Sequence, residues 1–191
     1  MFHWNTIGQT VIRPHAASPR VYRLKNGSLI AAAETREGIR VFSTDDDGVS
    51  WRDAGPGSFT PDLACANPEF FELPDGEVLL AHRAIGMRED GFYTSIRVNI
   101  GDGRSFRPHS VVAEYTEADG GFRGVWEPCL GLLDGMLTCF YANEMGTAPT
   151  ALPIVSPTTL STPFLPSHIK SRHFSPILSL LPIDKTACYH L

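Results

Sequence analysis

The chain has 191 residues, 42% of them apolar and 19% charged, with a formal net charge of −5. That is the composition of one globular domain or a piece of a larger one, and it excludes a disordered polyelectrolyte. The acidic balance offers no basic footprint for nucleic acid or an anionic membrane, and no apolar run approaches the roughly 18 residues that span a bilayer.

The opening stretch, MFHWNTIGQTVIRP, lacks a charged segment followed by an apolar core and does not read as a secretory signal. Short strand signals then alternate with turns. VYRLKNGSLIAAAE sets two apolar runs around Asn26-Gly27, FFELPDGEVLLAHR does so around Asp75-Gly76, and CLGLLDGMLTCFYA around Asp134-Gly135. Asn-Gly and Asp-Gly adopt positive φ at low cost, so each pair predicts a hairpin turn. The turn glycines lie 49 and 59 residues apart. A hairpin repeating at that distance predicts propeller blades, which place four strands in roughly 40–50 residues. No helical window of useful length is present, so the expected class is all-β.

A second element recurs out of phase with the hairpins. Counting back from Trp51, the pattern is Thr44-x-Asp46-x-Gly48-x-Ser50-Trp51. This is an Asp-box, a structural turn. The carboxylate and hydroxyls bond the backbone, Gly supplies positive φ, and the aromatic ring packs between strands. A degenerate copy, Asn99-x-Gly101-x-Gly103-x-Ser105-Phe106, follows with its last Gly 55 residues after Gly48 and puts Gly101 where the Asp would sit. An EF-hand reading of the acidic run fails on spacing, because Ser43 and Ala54 occupy positions that need acids.

Composition changes abruptly near residue 146. All 17 glycines and 20 of the 21 acidic residues lie in residues 1–146; residues 147–191 hold seven prolines and twelve Ser/Thr. The expected organisation is therefore 1–146 as a partial propeller and 147–191 as an irregular tail, since repeated Pro breaks ladders and helices. Two explanations stay open: an ordinary Pro-rich tail, or an end foreign to the fold. Four cysteines (Cys65, Cys129, Cys139, Cys188) without a Cys-x-x-Cys pair, and seven histidines without ligand spacing, predict neither a metal site nor a disulfide framework. No cofactor is expected.

The hairpin repeat with an Asp-box resembles the sialidase-like superfamily of Asp-box (BNR) propellers. Asn67-Pro68-Glu69-Phe70 and Gly124-Val125-Trp126-Glu127-Pro128 are similar to the branch containing glycoside hydrolase family 93, the exo-arabinanases. The resemblance covers roughly residues 10–146. It implies a six-bladed propeller in a chain about twice as long, of which this chain holds about two and a half blades. It also implies a glycan as ligand, and a family whose members are often secreted.

The resemblance makes the strand before each hairpin turn the innermost one. Arg20 stands seven residues before Gly27, Glu69 seven before Gly76, and Glu127 eight before Gly135, each beside a proline. Charges converging on one axis are costly unless they bind something polar. By resemblance Glu127 is the expected catalytic carboxylate, Arg20, Glu69 and Arg83 contact substrate or tune charge, and Trp126 stacks on a sugar face. The plain alternatives are solvated strand ends for Glu69 and Glu127, a surface ion pair for Arg20, and core packing for Trp126. Pro19 precedes Arg20 where true sialidases carry Arg-Ile-Pro, so an arabinan-type or other neutral glycan is favoured over a sialoside. Three classes of function follow: a piece of a glycoside hydrolase, inactive by itself for want of later blades; a propeller that binds carbohydrate or protein without cleaving it; and a product that never folds stably.

Overall fold

The computed structural model describes residues 10–133 and 135–144, and the backbone of 154–159. These form eleven strands and no helix. The first four, β1 (Ala17–Arg23), β2 (Leu29–Thr35), β3 (Gly38–Ser43) and β4 (Arg52–Ser58), make an antiparallel sheet in sequence order. A second four-stranded meander follows: β5 (Ala64–Glu72), β6 (Val78–Arg88), β7 (Gly91–Gly101) and β8 (Phe106–Glu117). The third sheet holds β9 (Val125–Leu133), β10 (Met136–Asn143) and β11 (Ile154–Thr159) in that order. The protein is all-β, a partial propeller of two whole blades and part of a third.

The turn glycines at the first two hairpins act through φ alone. Gly27 and Gly76 sit at φ 90° and 91°, and nothing crowds either position. Each turn is closed by short backbone bonds, such as Gly27 N to the Leu24 carbonyl at 2.8 Å and Gly76 N to the Leu73 carbonyl at 3.1 Å. In the third blade Leu133 pairs directly with Met136, so that turn is shorter. Asp134 of that turn lies outside the described residues.

Side-chain alternation builds the seams between blades. On β6 the even positions Val78, Leu80 and Ala84 meet Ile30, Ala32, Ile39 and Val41 of blade one. The odd positions Leu79 and Ala81 face Val125, Leu130 and Cys139 of blade three. Period two along one strand thus serves two neighbours. Leu80 is fully buried, a contribution of about 1.5–3 kcal/mol at the usual hydrophobic rate. Packing is close at Gly57: a Cβ there would stand 2.6 Å from Leu80 Cδ2 and 2.8 Å from Val41 Cγ2, so those side chains would have to shift.

Polar bonds cross the same seam. His82, fully buried, lies 2.7 Å through Nε2 from Ser58 Oγ, and its Nδ1 lies 3.3 Å from the Arg83 carbonyl. Asn99 Nδ2 donates to the Gly57 carbonyl at 2.7 Å.

Ile154–Thr159 falls within the segment that the sequence reads as irregular. It pairs with β10, Pro157 opposite Phe140 and Ser156 opposite Tyr141. Proline is tolerated there because β11 is the edge of its sheet among the described residues. The remainder of 147–191 lies outside the described residues.

Candidate functional site at the mouth of the inner strands

The inner strands β1, β5 and β9 lie side by side, β5 against β1 on one side and β9 on the other. Each carries the same defect near its start. Between Ala17 and Arg20 two residues of β1 oppose one of β2; between Ala66 and Glu69 two of β5 oppose one of β6; between Trp126 and Cys129 two of β9 oppose one of β10. The inserted pairs are Ser18-Pro19, Asn67-Pro68 and Glu127-Pro128. In every case the residue before the proline takes positive φ: Ser18 at 45°, Asn67 at 51°, Glu127 at 49°. Proline lacks the N–H that a ladder requires, and a bulge removes the requirement. A left-handed non-glycine residue costs on the order of 1–3 kcal/mol and persists only where its surroundings hold it.

This alignment revises the sequence register. Arg20 and Glu69 follow their prolines and occupy one equivalent position, whose blade-three counterpart is Cys129. Glu127 precedes its proline and is the counterpart of Ser18 and Asn67. Counting from the turn glycine misaligned it because the third hairpin turn is shorter.

Arg20 Nε lies 3.6 Å from Glu69 Oε2, an ion pair across the first seam. Burial pushes the Glu69 carboxyl up, and the Arg20 charge opposes that shift. Across the second seam Arg83 points from β6 toward blade three. Its guanidinium sits 4.8 Å above the Trp126 ring. Burial lowers the Arg83 pKa, while the charges of Glu34 and Glu127 oppose the shift. Among the described residues, Arg83 Nε is the one buried side-chain nitrogen or oxygen without a hydrogen-bond partner. Trp126 Nε1 donates to Glu144 Oε2 at 2.8 Å, and Phe92 stands 6.2 Å from its ring. The ring face under Arg83 is therefore taken, and Trp126 acts first as a floor for that guanidinium.

Glu34 was not foreseen. It is the blade-one counterpart of Arg83, since Ala17 pairs with Glu34 as Ala66 pairs with Arg83. Its Oε1 accepts the Asn67 N–H at 3.2 Å across the first seam. The signal was present in the sequence: Glu34 and Arg83 each stand seven residues after a turn glycine. The mouth thus gathers two guanidinium groups, three carboxylates and an indole, a lining suited to hydroxyl-rich ligands. Among the described residues no three His, Cys, Asp or Glu side chains cluster as metal ligands would.

The 44–51 turn lies at the other end of the strands, where β3 leaves and β4 begins. Asp46 accepts from Thr44 Oγ1 at 2.6 Å, Ser50 N at 2.8 Å and Ser50 Oγ at 2.5 Å. These bonds, that of Ser50 foremost, lower its pKa to about 2. Thr44 Oγ1 accepts the Gly48 N–H at 3.0 Å, Gly48 takes φ 90°, and Trp51 packs against Ala31, Ala33 and Phe42. In the second copy Asp102 supplies the acceptor, taking Ser105 N at 2.7 Å and Arg104 N at 2.9 Å. No side chain fits at Gly101, where a Cβ would collide with the Ser105 carbonyl oxygen. Both turns brace the blades away from the mouth.

No protein-family model matches the sequence, and no curated protein matches it. Solved structures do. An alpha-L-arabinanase of Penicillium chrysogenum, complexed with arabinobiose, is 25% identical with a TM-score of 0.56, over 69% of this chain and 42% of its own. An alpha-L-arabinofuranosidase of Fusarium graminearum, complexed with an iminosugar inhibitor, is 23% identical with a TM-score of 0.55, over 68% of this chain and 41% of its own. A structure of the family 93 alpha-L-arabinofuranosidase of the same organism with arabinobiose gives the same values. The chain spans about two fifths of the length of these proteins. Its blades share the propeller-like all-β fold of these arabinanase and arabinofuranosidase structures.

Proposed function

We propose that the mouth of β1, β5 and β9 is part of the glycan site of a glycoside hydrolase acting on an arabinan-type or related glycan. The observation that carries this is the repeated bulge. Three adjacent inner strands use one device to bring Ser18, Asn67 and Glu127 to the same level, beside Arg20, Glu69 and Arg83. The arabinobiose bound by the Penicillium and Fusarium enzymes supports the choice of glycan. The bonding of Asp46 within the 44–51 turn supports the Asp-box assignment.

Glu127 is exposed, faces the Arg83 charge, and is the candidate catalytic carboxylate. Glycoside hydrolysis needs a second group, about 5–5.5 Å away for retention or about 6.5–9.5 Å for inversion. Glu69 is a poor second group because Arg20 already pairs with it, and so is Glu34, which accepts the Asn67 N–H and faces the Arg83 charge. The 191-residue chain therefore binds the glycan without turning it over. That ion pair also favours the second reading, a propeller that binds carbohydrate or protein and cleaves nothing.

The test is calorimetric titration of arabinobiose into the chain, alongside assay of released arabinose. Binding without release is expected, kept in Glu127→Gln and weakened in Glu127→Ala. Ordinary turnover by the chain would refute the inactivity; binding unchanged in Glu127→Ala would remove Glu127 from the site. If arabinobiose does not bind, the glycan assignment falls.

A further inference from the structure

Asn67 has no role in the sequence-derived site beyond belonging to a motif. In the structure it is the blade-two counterpart of Glu127, on the neighbouring inner strand. It holds φ 51° immediately before a buried proline. Its backbone N–H is committed to Glu34 Oε1 at 3.2 Å. Its side-chain amide makes no hydrogen bond to the described residues, and the residue is half-buried. An unpaired amide on a backbone held at a fixed place has one donor and one acceptor function to offer a ligand. Arg83, whose Nε lacks a partner, pairs on β6 with Ala66, the residue before Asn67.

We propose that Asn67 contacts the glycan, its side-chain amide bonding sugar hydroxyls beside Glu127, and that it contributes to the choice of sugar. This rests on the glycan reading above. The competing explanation is that asparagine stands there only because it tolerates left-handed backbone. Glycine tolerates the same φ without an amide, so Asn67→Gly separates the two. Asn67→Asp, similar in shape and tolerance, replaces the N–H donors by a charged carboxylate oxygen, so it reads donor loss and added charge together, and Asn67→Gly carries the cleaner comparison.

Both variants are titrated with arabinobiose, and their thermal midpoints are measured. The expected result is a midpoint close to wild type in at least one variant, with affinity about 5- to 30-fold lower, the range for one or two lost hydrogen bonds. Unchanged affinity in a folded variant overturns the role of Asn67 and leaves the glycan site standing. Absence of binding in wild type refutes the glycan site, and this inference with it.

Discussion

Acidification should loosen the first seam through His82. The ring is fully buried, bonded to Ser58 Oγ and near the Arg83 carbonyl, and the Arg97 cation adds repulsion to any charge there. Burial, the main cause, lowers its pKa from 6.5 to about 4. The folded protein thus keeps His82 neutral where the unfolded chain protonates it. The stability from this group is fully present above about pH 6.5 and is lost as pH falls toward about 4. Below that no further loss comes from it. The gap between 6.5 and about 4 corresponds to about 3 kcal/mol, a large part of the ~5–15 kcal/mol that stabilises an ordinary domain. Urea unfolding at several pH values between 7 and 4 measures it, with His82→Gln as the variant that cannot titrate. Wild type should lose stability more steeply than the variant across that window. Parallel curves would refute the account, and so would a wild type gaining on the variant as pH falls.

Two further outcomes follow from the packing. Gly57→Ala should cost about 1–3 kcal/mol, because its methyl enters the seam against Leu80 and Val41; an unchanged denaturation midpoint would mean that the blades are less tightly apposed. Asp46→Asn should lower the thermal midpoint and leave arabinobiose affinity alone. It should also abolish a stability loss in wild type that begins as pH falls below 3.8 and ends near 2, a window separate from that of His82; the two proteins should then differ less at pH 2 than at pH 5.

The parts of the fold that were legible in the sequence are those written in local backbone chemistry. Asn26-Gly27 and Asp75-Gly76 declare hairpins because positive φ selects their residues, and Thr44 to Trp51 declares a turn because its hydroxyls and carboxylate bond one another. What was not legible depends on pairing between distant strands. The equivalence of Glu127 with Asn67, rather than with Glu69, appears only once β9 is registered against β10. Glu34 gains its place from the neighbouring blade, through the N–H of Asn67. The second turn uses Asp102 because the Ser105 carbonyl closes the space at Gly101, a fact of packing that a pattern match does not see. Ile154–Thr159 forms a strand despite Pro157 because an open edge on β10 accepts it.

The central claim is that the inner strands of this chain converge on a glycan. A crystal structure of the 191-residue chain grown with arabinobiose tests it most directly. The account predicts the sugar at the mouth of β1, β5 and β9, within hydrogen-bond distance of Asn67, Glu127 and at least one of Arg20, Glu69 and Arg83. A sugar seated elsewhere on the blades, with those side chains untouched, would contradict it.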